Sequence, residues 1–129
     1  MAEHTERMRV GWIDTDAGGR IHFTVAFRWA EAAETGLYRK LGLLSDRKGD
    51  YPRRHVEADY LRVLRFDDEV EVRLRVEKVG GTSVTFAWDV LHDGVVAIRG
   101  MHTVVRVDDE GRPTPIDDRH RELLEYQGT

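Results

Sequence analysis

The 129 residues include no cysteine, which excludes disulfides and thiolate metal centres and fits a reducing compartment. No apolar run is long enough to cross a bilayer. The opening segment MAEHTERMRV lacks the apolar middle of a secretory signal. The expectation is a soluble, cytoplasmic protein with no membrane partner. Basic charge is not in excess either: 20 Lys and Arg stand against 24 Asp and Glu, for a net charge of −4. A basic footprint for nucleic acid is therefore missing, and no nucleic-acid partner is expected. Repeats, low-complexity tracts and interdomain linkers are missing too. The one loop-like interior stretch, SDRKGDYPRR at 45–54, is too short to separate a pair of domains. Residues 1–129 are thus expected to form a single domain, a size that buries a core without staples.

What is present is periodicity. Met8, Val10 and Trp12 alternate with Arg7, Arg9 and Gly11, the period of a half-buried strand. Residues 24–41 change to a helical spacing, with Ala26, Ala30, Ala33, Leu37 and Leu41 on one face. Thr24 is placed to cap this helix and Gly42 to close it. The face is unusually small, and Gly36 beside it costs about 1 kcal/mol of helix propensity relative to alanine. A close contact with another element is the expected offset.

From residue 54 onward the period is two. RHVEADYLRVL reads as a strand, with Val56, Ala58 and Tyr60 on one face. Val70, Val72, Leu74 and Val76 alternate with Glu71, Arg73, Arg75 and Glu77 in the clearest strand of the chain. Gly80-Gly81 turns it into Val84, Phe86, Trp88 and Val90, and HDG at 92–94 turns again into VVAIRGMHTVVRV. Pro113 and Pro115 end the run, and IDDRHRELLEY reads as a short helix capped by Asp117. The order strand, long helix, four strands, short helix predicts an α+β fold. Its antiparallel meander has one wet face and curls around the small-faced helix.

The segment WIDTDAGGRIHF, residues 12–23, has the chemistry. Asp14 and Asp16 precede a Gly-Gly pair that leads into the helix. Aspartates beside glycines are ordinarily turn formers, because the side chain bonds nearby backbone. The stretch DTDAGGRIHF followed by FRWAEAAETGLYRKLGL resembles the opening motif of the hotdog-fold thioesterases, in particular the 4-hydroxybenzoyl-CoA thioesterase-like branch. The elements that carry the resemblance are Asp16, Gly18-Gly19 and Arg28-Trp29, and the later strand segments follow in the same order over nearly the whole chain.

The resemblance implies a five-stranded antiparallel sheet wrapped around the long central helix. It also implies a homodimer or homotetramer with the active site between subunits, and an acyl-CoA thioesterase activity without cofactor. It assigns Asp16 as general base or nucleophile, the two roles remaining open, and the backbone N–H of Phe23 as polariser of the thioester carbonyl. Both fit the physics: a helix start offers free amides and a positive dipole end, and a carboxylate activates water or captures the acyl group. Gly19, His22 and Thr24 are the substrate-binding candidates at this end, with Asp14 left to the turn.

Phosphate-gripping basic residues of some relatives are missing from the KVGGTSV turn, where Thr82 and Ser83 are the candidate contacts. Arg47, Lys48, Arg53 and Arg54 on the long loop are a further possibility for the phosphates, with ordinary solvated surface as the default. The carrier is then either coenzyme A or acyl carrier protein, which share the phosphopantetheine arm. Glu31 and Glu34 are assigned by default to the helix surface, and Arg20 to solvent. His55, His92 and His102 lack ligand spacing, so no metal site is expected.

Two other classes remain in competition. A noncatalytic acyl-CoA binder on the same fold would need no carboxylate at position 16. The D-x-D of a haloacid-dehalogenase-like phosphatase needs a strand buried on both faces, and the preceding RMRVGWI alternates and carries arginines instead.

Overall fold

The computed structural model describes residues 1–45 and 50–126. The elements follow the expected order: β1 (Glu3–Arg9), a single 3-10 turn (Trp12–Asp14), α1 (Val25–Lys40), β2 (Arg53–Tyr60), β3 (Glu69–Val79), β4 (Ser83–His92), β5 (Val95–Val105) and α2 (Asp118–Glu125). The five strands form one antiparallel sheet in the order β1-β3-β4-β5-β2, so β1 and β2 are its edges. The sheet carries α1 on one face, which is the hotdog arrangement.

Alternation decides which side chains meet the helix. Val70, Val72, Leu74 and Val76 of β3 and Val84, Phe86, Trp88 and Val90 of β4 are all buried, as are Ile98 and Val104 of β5. They receive Val25, Ala26, Trp29, Ala30, Ala33 and Leu37 of α1. Phe27 meets Trp88 edge-on at 6.1 Å, and Tyr38 meets Phe86 at 6.3 Å. Each large apolar side chain buried in this way contributes roughly 1.5–3 kcal/mol.

Gly42 adopts φ +72° and closes α1, with its N–H on Arg39 O at 3.1 Å. Asp117 caps α2 through the amides of Arg119 and His120. Strand β2 is shorter than its apolar pattern suggests. It stops at Tyr60, and residues 61–68 cross the end of the sheet to reach β3. The amides of Leu61 and Arg62 both bond Ala97 O there, which takes the chain out of the ladder.

Two glycines serve close approach. A Cβ on Gly36 would run into the His4 ring and sit 2.5 Å from Glu6 Oε1, so β1 and α1 touch through this position. A Cβ on Gly100 would run into the Trp88 ring and sit 2.8 Å from Glu57 O. The half-buried side chains of His4 and Glu6 can swing aside, and helix propensity gains from alanine. Trp88 is fully buried and has nowhere to move.

Glu34 corrects the surface default. It lies four residues after Ala30 and three before Leu37, on the apolar face, and only 2% of it is exposed. Its Oε1 accepts from Arg53 of β2 at 2.7 Å and from His102 Nε2 of β5 at 2.8 Å. The Trp88 indole N–H can only donate, and it donates to His102 Nδ1 at 3.1 Å. The proton of His102 therefore sits on Nε2 and points at Glu34. Burial pushes the Glu34 carboxyl upward. The hydrogen bond from His102 and the charge of Arg53 outweigh it and hold the group below the usual carboxylate range.

These contacts set two expected outcomes. Gly100→Ala should lower stability by about 2 kcal/mol, whereas Gly36→Ala should be near neutral; urea titrations of both variants read the contrast. A carboxyl whose folded pKa is depressed adds stability above its unfolded pKa, and that stability is lost as pH falls through the folded value. Wild type should therefore lose stability on acidification below the ordinary carboxylate range. Glu34→Gln should be less stable near neutrality by about 3 kcal/mol, because Arg53 loses its buried counter-charge, and should show a flatter acid limb in denaturation measured against pH.

Candidate active site

The segment between β1 and α1 folds as a short ribbon. The 3-10 turn at Trp12–Asp14 lets Asp14 turn inward, where Oδ2 accepts from Gly11 N at 2.8 Å and Oδ1 from Arg28 at 3.2 Å. Asp14 thus has the turn role, and it also pins the loop to α1. Thr15 bridges Ile21, Asp16 N bonds Arg20 O at 2.7 Å, and His22 N returns to Asp14 O at 2.8 Å. Gly19 makes the reversal at φ +79°, a conformation that L side chains rarely adopt.

Asp16 sits at the exposed tip of this ribbon. Its Oδ1 accepts from Gly18 N at 2.8 Å and Arg20 N at 3.3 Å. The turn-former behaviour of an aspartate beside glycines is therefore real, but it occupies one oxygen only. Oδ2 has no partner among the described residues. The ribbon puts Asp16 opposite Arg20, two residues before His22, a step of about 7 Å along a strand.

The start of α1 is open. Thr24 takes the N-cap position in a helical conformation and makes no side-chain cap bond, which corrects the capping expectation. Its hydroxyl lies 2.7 Å from His22 Nδ1, and its N–H reaches the same nitrogen at 3.3 Å. His22 in turn stacks on Phe23 with centroids 4.6 Å apart. Phe23 is 63% exposed, and its N–H meets no acceptor among the described residues. Its carbonyl accepts from the Tyr60 hydroxyl. The loop is further held by Ile21 N on Leu64 O at 3.0 Å and by the bridge between Arg20 and Arg65.

Asp16, Gly19, His22, Phe23 and Thr24 are therefore gathered at one end of the molecule. Thr82 and Ser83 are not with them. The strand β3 begins at Glu69, paired with Arg9 at the Asp16 end, and runs to Val79 before the turn. An 11-residue strand separates the two ends by roughly 35 Å. The carbonyls of that turn are engaged in structure: Arg121 bonds Gly80 O at 2.6 Å, Ile116 N bonds Gly81 O and Arg106 N bonds Thr82 O. Of the loop cations, Arg47 and Lys48 lie outside the described residues, and Arg53 is committed to Glu34.

Tyr60 and the Glu34–His102–Arg53 cluster escaped the sequence reading. The 30/34/37 spacing was a legible signal for Glu34. The pairing of Tyr60 with Phe23 had none, since 37 residues separate them.

A cleft of about 600 Å³ lined by Glu31, Glu34, Asp50, Tyr51 and Arg53 includes neither Asp16 nor Phe23. The same holds for a cleft of about 460 Å³ lined by Arg7, Arg9, Glu71 and Arg73. No group of three or more His, Asp or Glu among the described residues is placed to hold a metal ion. No described helix is long and apolar enough to cross a membrane.

No curated protein matches the sequence significantly. Among solved structures, a predicted thioesterase from Bacillus stearothermophilus is 28% identical with a TM-score of 0.86, covering 99% of this chain and 100% of that one. A hypothetical protein from Aquifex aeolicus is 25% identical with a TM-score of 0.87, covering 94% and 98%. The 1,4-dihydroxy-2-naphthoyl-CoA thioesterase from Synechocystis has a TM-score of 0.86 over 95% of each chain at 15% identity, a likeness of fold. The model of the Thioesterase-like superfamily matches residues 10–124. The chain belongs to that superfamily, and it is a thioester hydrolase.

Proposed function

We propose that the protein hydrolyses acyl thioesters of coenzyme A or acyl carrier protein at the open end of α1, in the manner of the 4-hydroxybenzoyl-CoA thioesterase-like branch. Residues 1–129 act as one catalytic unit of a homodimer. One observation carries the reading: a carboxylate with one oxygen pinned and one free shares a ribbon with an unspent amide at a helix start. The Phe23 N–H polarises the thioester carbonyl, and the helix dipole adds to it. A donor of this kind is worth about 3 kcal/mol on the barrier.

Asp16 then acts in one of two balanced ways. As base, it takes a proton from water while the oxygen adds to the carbonyl carbon; the C–S bond breaks and the thiolate receives the proton. As nucleophile, Oδ2 forms the acyl bond, thiolate leaves, and water cleaves the anhydride. His22, Thr24 and Gly19 shape the near wall.

The dimer is supported by the contrast between the two sheet edges. Strand β1 turns His4 and Glu6 inward, and Lys40 covers Glu3 O at 2.9 Å, devices that protect an edge from pairing. Strand β2 has Val56 and Tyr60 nearly half exposed, and Leu61, Val63, Phe66 and Trp12 are exposed beyond it. Its sequence RRHVEADY is basic in the first half and acidic in the second. Laid antiparallel on itself, it sets unlike charges together. A two-fold there brings the far end of one copy to the Asp16 end of the other. Contacts from Thr82 and Ser83 to substrate would then be made across the interface.

In steady-state assays over short, long and aromatic acyl-CoAs and an acyl-carrier-protein thioester, Asp16→Asn should lose at least about a hundredfold in kcat while remaining folded. The aromatic arm is included because the Synechocystis neighbour is an aroyl-CoA thioesterase. A folded Asp16→Asn protein with full turnover would refute the assignment, and tight acyl-CoA binding without turnover by wild type would favour a sensor. Arg54→Glu should raise the dimer dissociation constant by about tenfold, and adding Asp59→Arg should restore it. Light scattering over a dilution series measures both.

A further inference from the structure

The Phe23 backbone belongs to neither helix nor strand, yet both of its flanking peptides are held. The peptide before it is fixed by Val25 N on His22 O at 3.0 Å. In a continuous helix the peptide after it would be fixed by Phe27 N on Phe23 O. Here Phe27 N bonds Thr24 O instead, at 3.2 Å, and Phe23 O is left to the hydroxyl of Tyr60. That hydroxyl comes from the last residue of β2, a different element brought alongside by the pairing of Tyr60 with Ile98.

We infer that Tyr60 is a positioning residue for thioester hydrolysis: its hydroxyl holds the Phe23 carbonyl and, together with the bond from Val25 N to His22 O, keeps Phe23 and its N–H in one orientation toward the substrate. The inference rests on the proposed role of that amide. Donation to this carbonyl adds a second bond, beside that of Thr24 N to His22 Nδ1 at 3.3 Å, that rotation of the 23–24 peptide must break. With the 22–23 peptide pinned by Val25 N on His22 O, the Phe23 dihedrals are the freedom left in this link, and the Tyr60 bond restrains them so that the N–H keeps its place at the mouth of α1. Burial pushes the Tyr60 phenol above its ordinary value, so the group keeps its donor proton through neutral pH. Tyr60 is 45% exposed, so removing the oxygen leaves no buried cavity.

The test is Tyr60→Phe in the full chain, with assembly state followed by light scattering. A lost positioning bond should lower kcat about five- to tenfold with KM within about twofold, because the bond acts on the transition state more than on binding. An unchanged kcat overturns the inference. So does a rise in KM alone, which would make Tyr60 a binding contact, or a loss that recovers at high protein concentration, which would make it an interface residue.

A second readout serves if the phenylalanine variant does not fold. With 3,5-difluorotyrosine at position 60, whose phenol ionises near neutral pH, kcat should fall as pH rises through neutrality while wild type stays level. A level profile overturns the inference. A wild type that hydrolyses none of the thioesters removes the functional reading and this inference together. An active wild type with an indifferent Tyr60→Phe variant removes the inference alone.

Discussion

Glu34 is a carboxylate on the apolar face of the central helix, and the arrangement of the surrounding elements follows from satisfying it. An unpaired charge at that depth would cost several kcal/mol. Arg53 from β2 and His102 from β5 both bond its Oε1. His102 can donate to it only because the Trp88 indole claims the other ring nitrogen. Trp88 in turn has its place because position 100 has no side chain. One buried charge thus links α1, β2, β4 and β5. The sheet edge at β2 is only partly covered by the helix, as the exposure of Val56 and Tyr60 shows.

The same strand is tied at two levels, to α1 by Arg53 to Glu34 and to the turn just before α1 by Tyr60 to Phe23. The lower tie is buried and concerns stability. The upper tie is exposed and sits where the proposed chemistry occurs. The connection that follows β2 continues the upper support, since Leu64 O receives Ile21 N and Asp67 N bonds Val10 O. The loop holding Asp16 is therefore cradled by a segment distant from it in sequence. This gives an exposed, glycine-containing loop a defined geometry without burying it.

The fold was legible because its signals are local. Period two along 70–76 and 84–90, the helical spacing of 26, 30, 33 and 37, and glycines at 42 and 80–81 each depend on neighbours within a turn or two. The close contact inferred at Gly36 was legible for the same reason, as an alanine-rich face needs a near partner. The misjudged features depend on elements distant in sequence. Thr24 reads as a cap until His22 competes for its hydroxyl. Val63 and Leu64 read as strand until Ala97 O draws off the amides at 61 and 62. Glu34 reads as surface if charge is weighed above spacing, and its partners lie 19 and 68 residues away. Thr82 and Ser83 are close to Asp16 in neither sequence nor the single chain, because β3 runs the length of the sheet between them.

The small face of α1 also bears on where a substrate can lie. Ala26, Ala30 and Ala33 let the helix settle onto the sheet, and all three are essentially inaccessible. Shape is thereby satisfied inside the protomer, and little interior room is left. The void between Tyr38, Leu43, Tyr51, His120 and Leu124 measures about 10 Å³, at most the space of a single water. That void is too small for an acyl group. On the proposed reading it lies on the outside of the chain, beside a helix mouth where Phe23 and Tyr60 present apolar surface to solvent. Such surface on a lone chain invites a covering partner, and the strand that borders it is the unprotected edge. The demand for a water-excluding wall around the thioester and the demand for a partner on β2 are met by the same contact, which is why the proposed site and the proposed interface coincide.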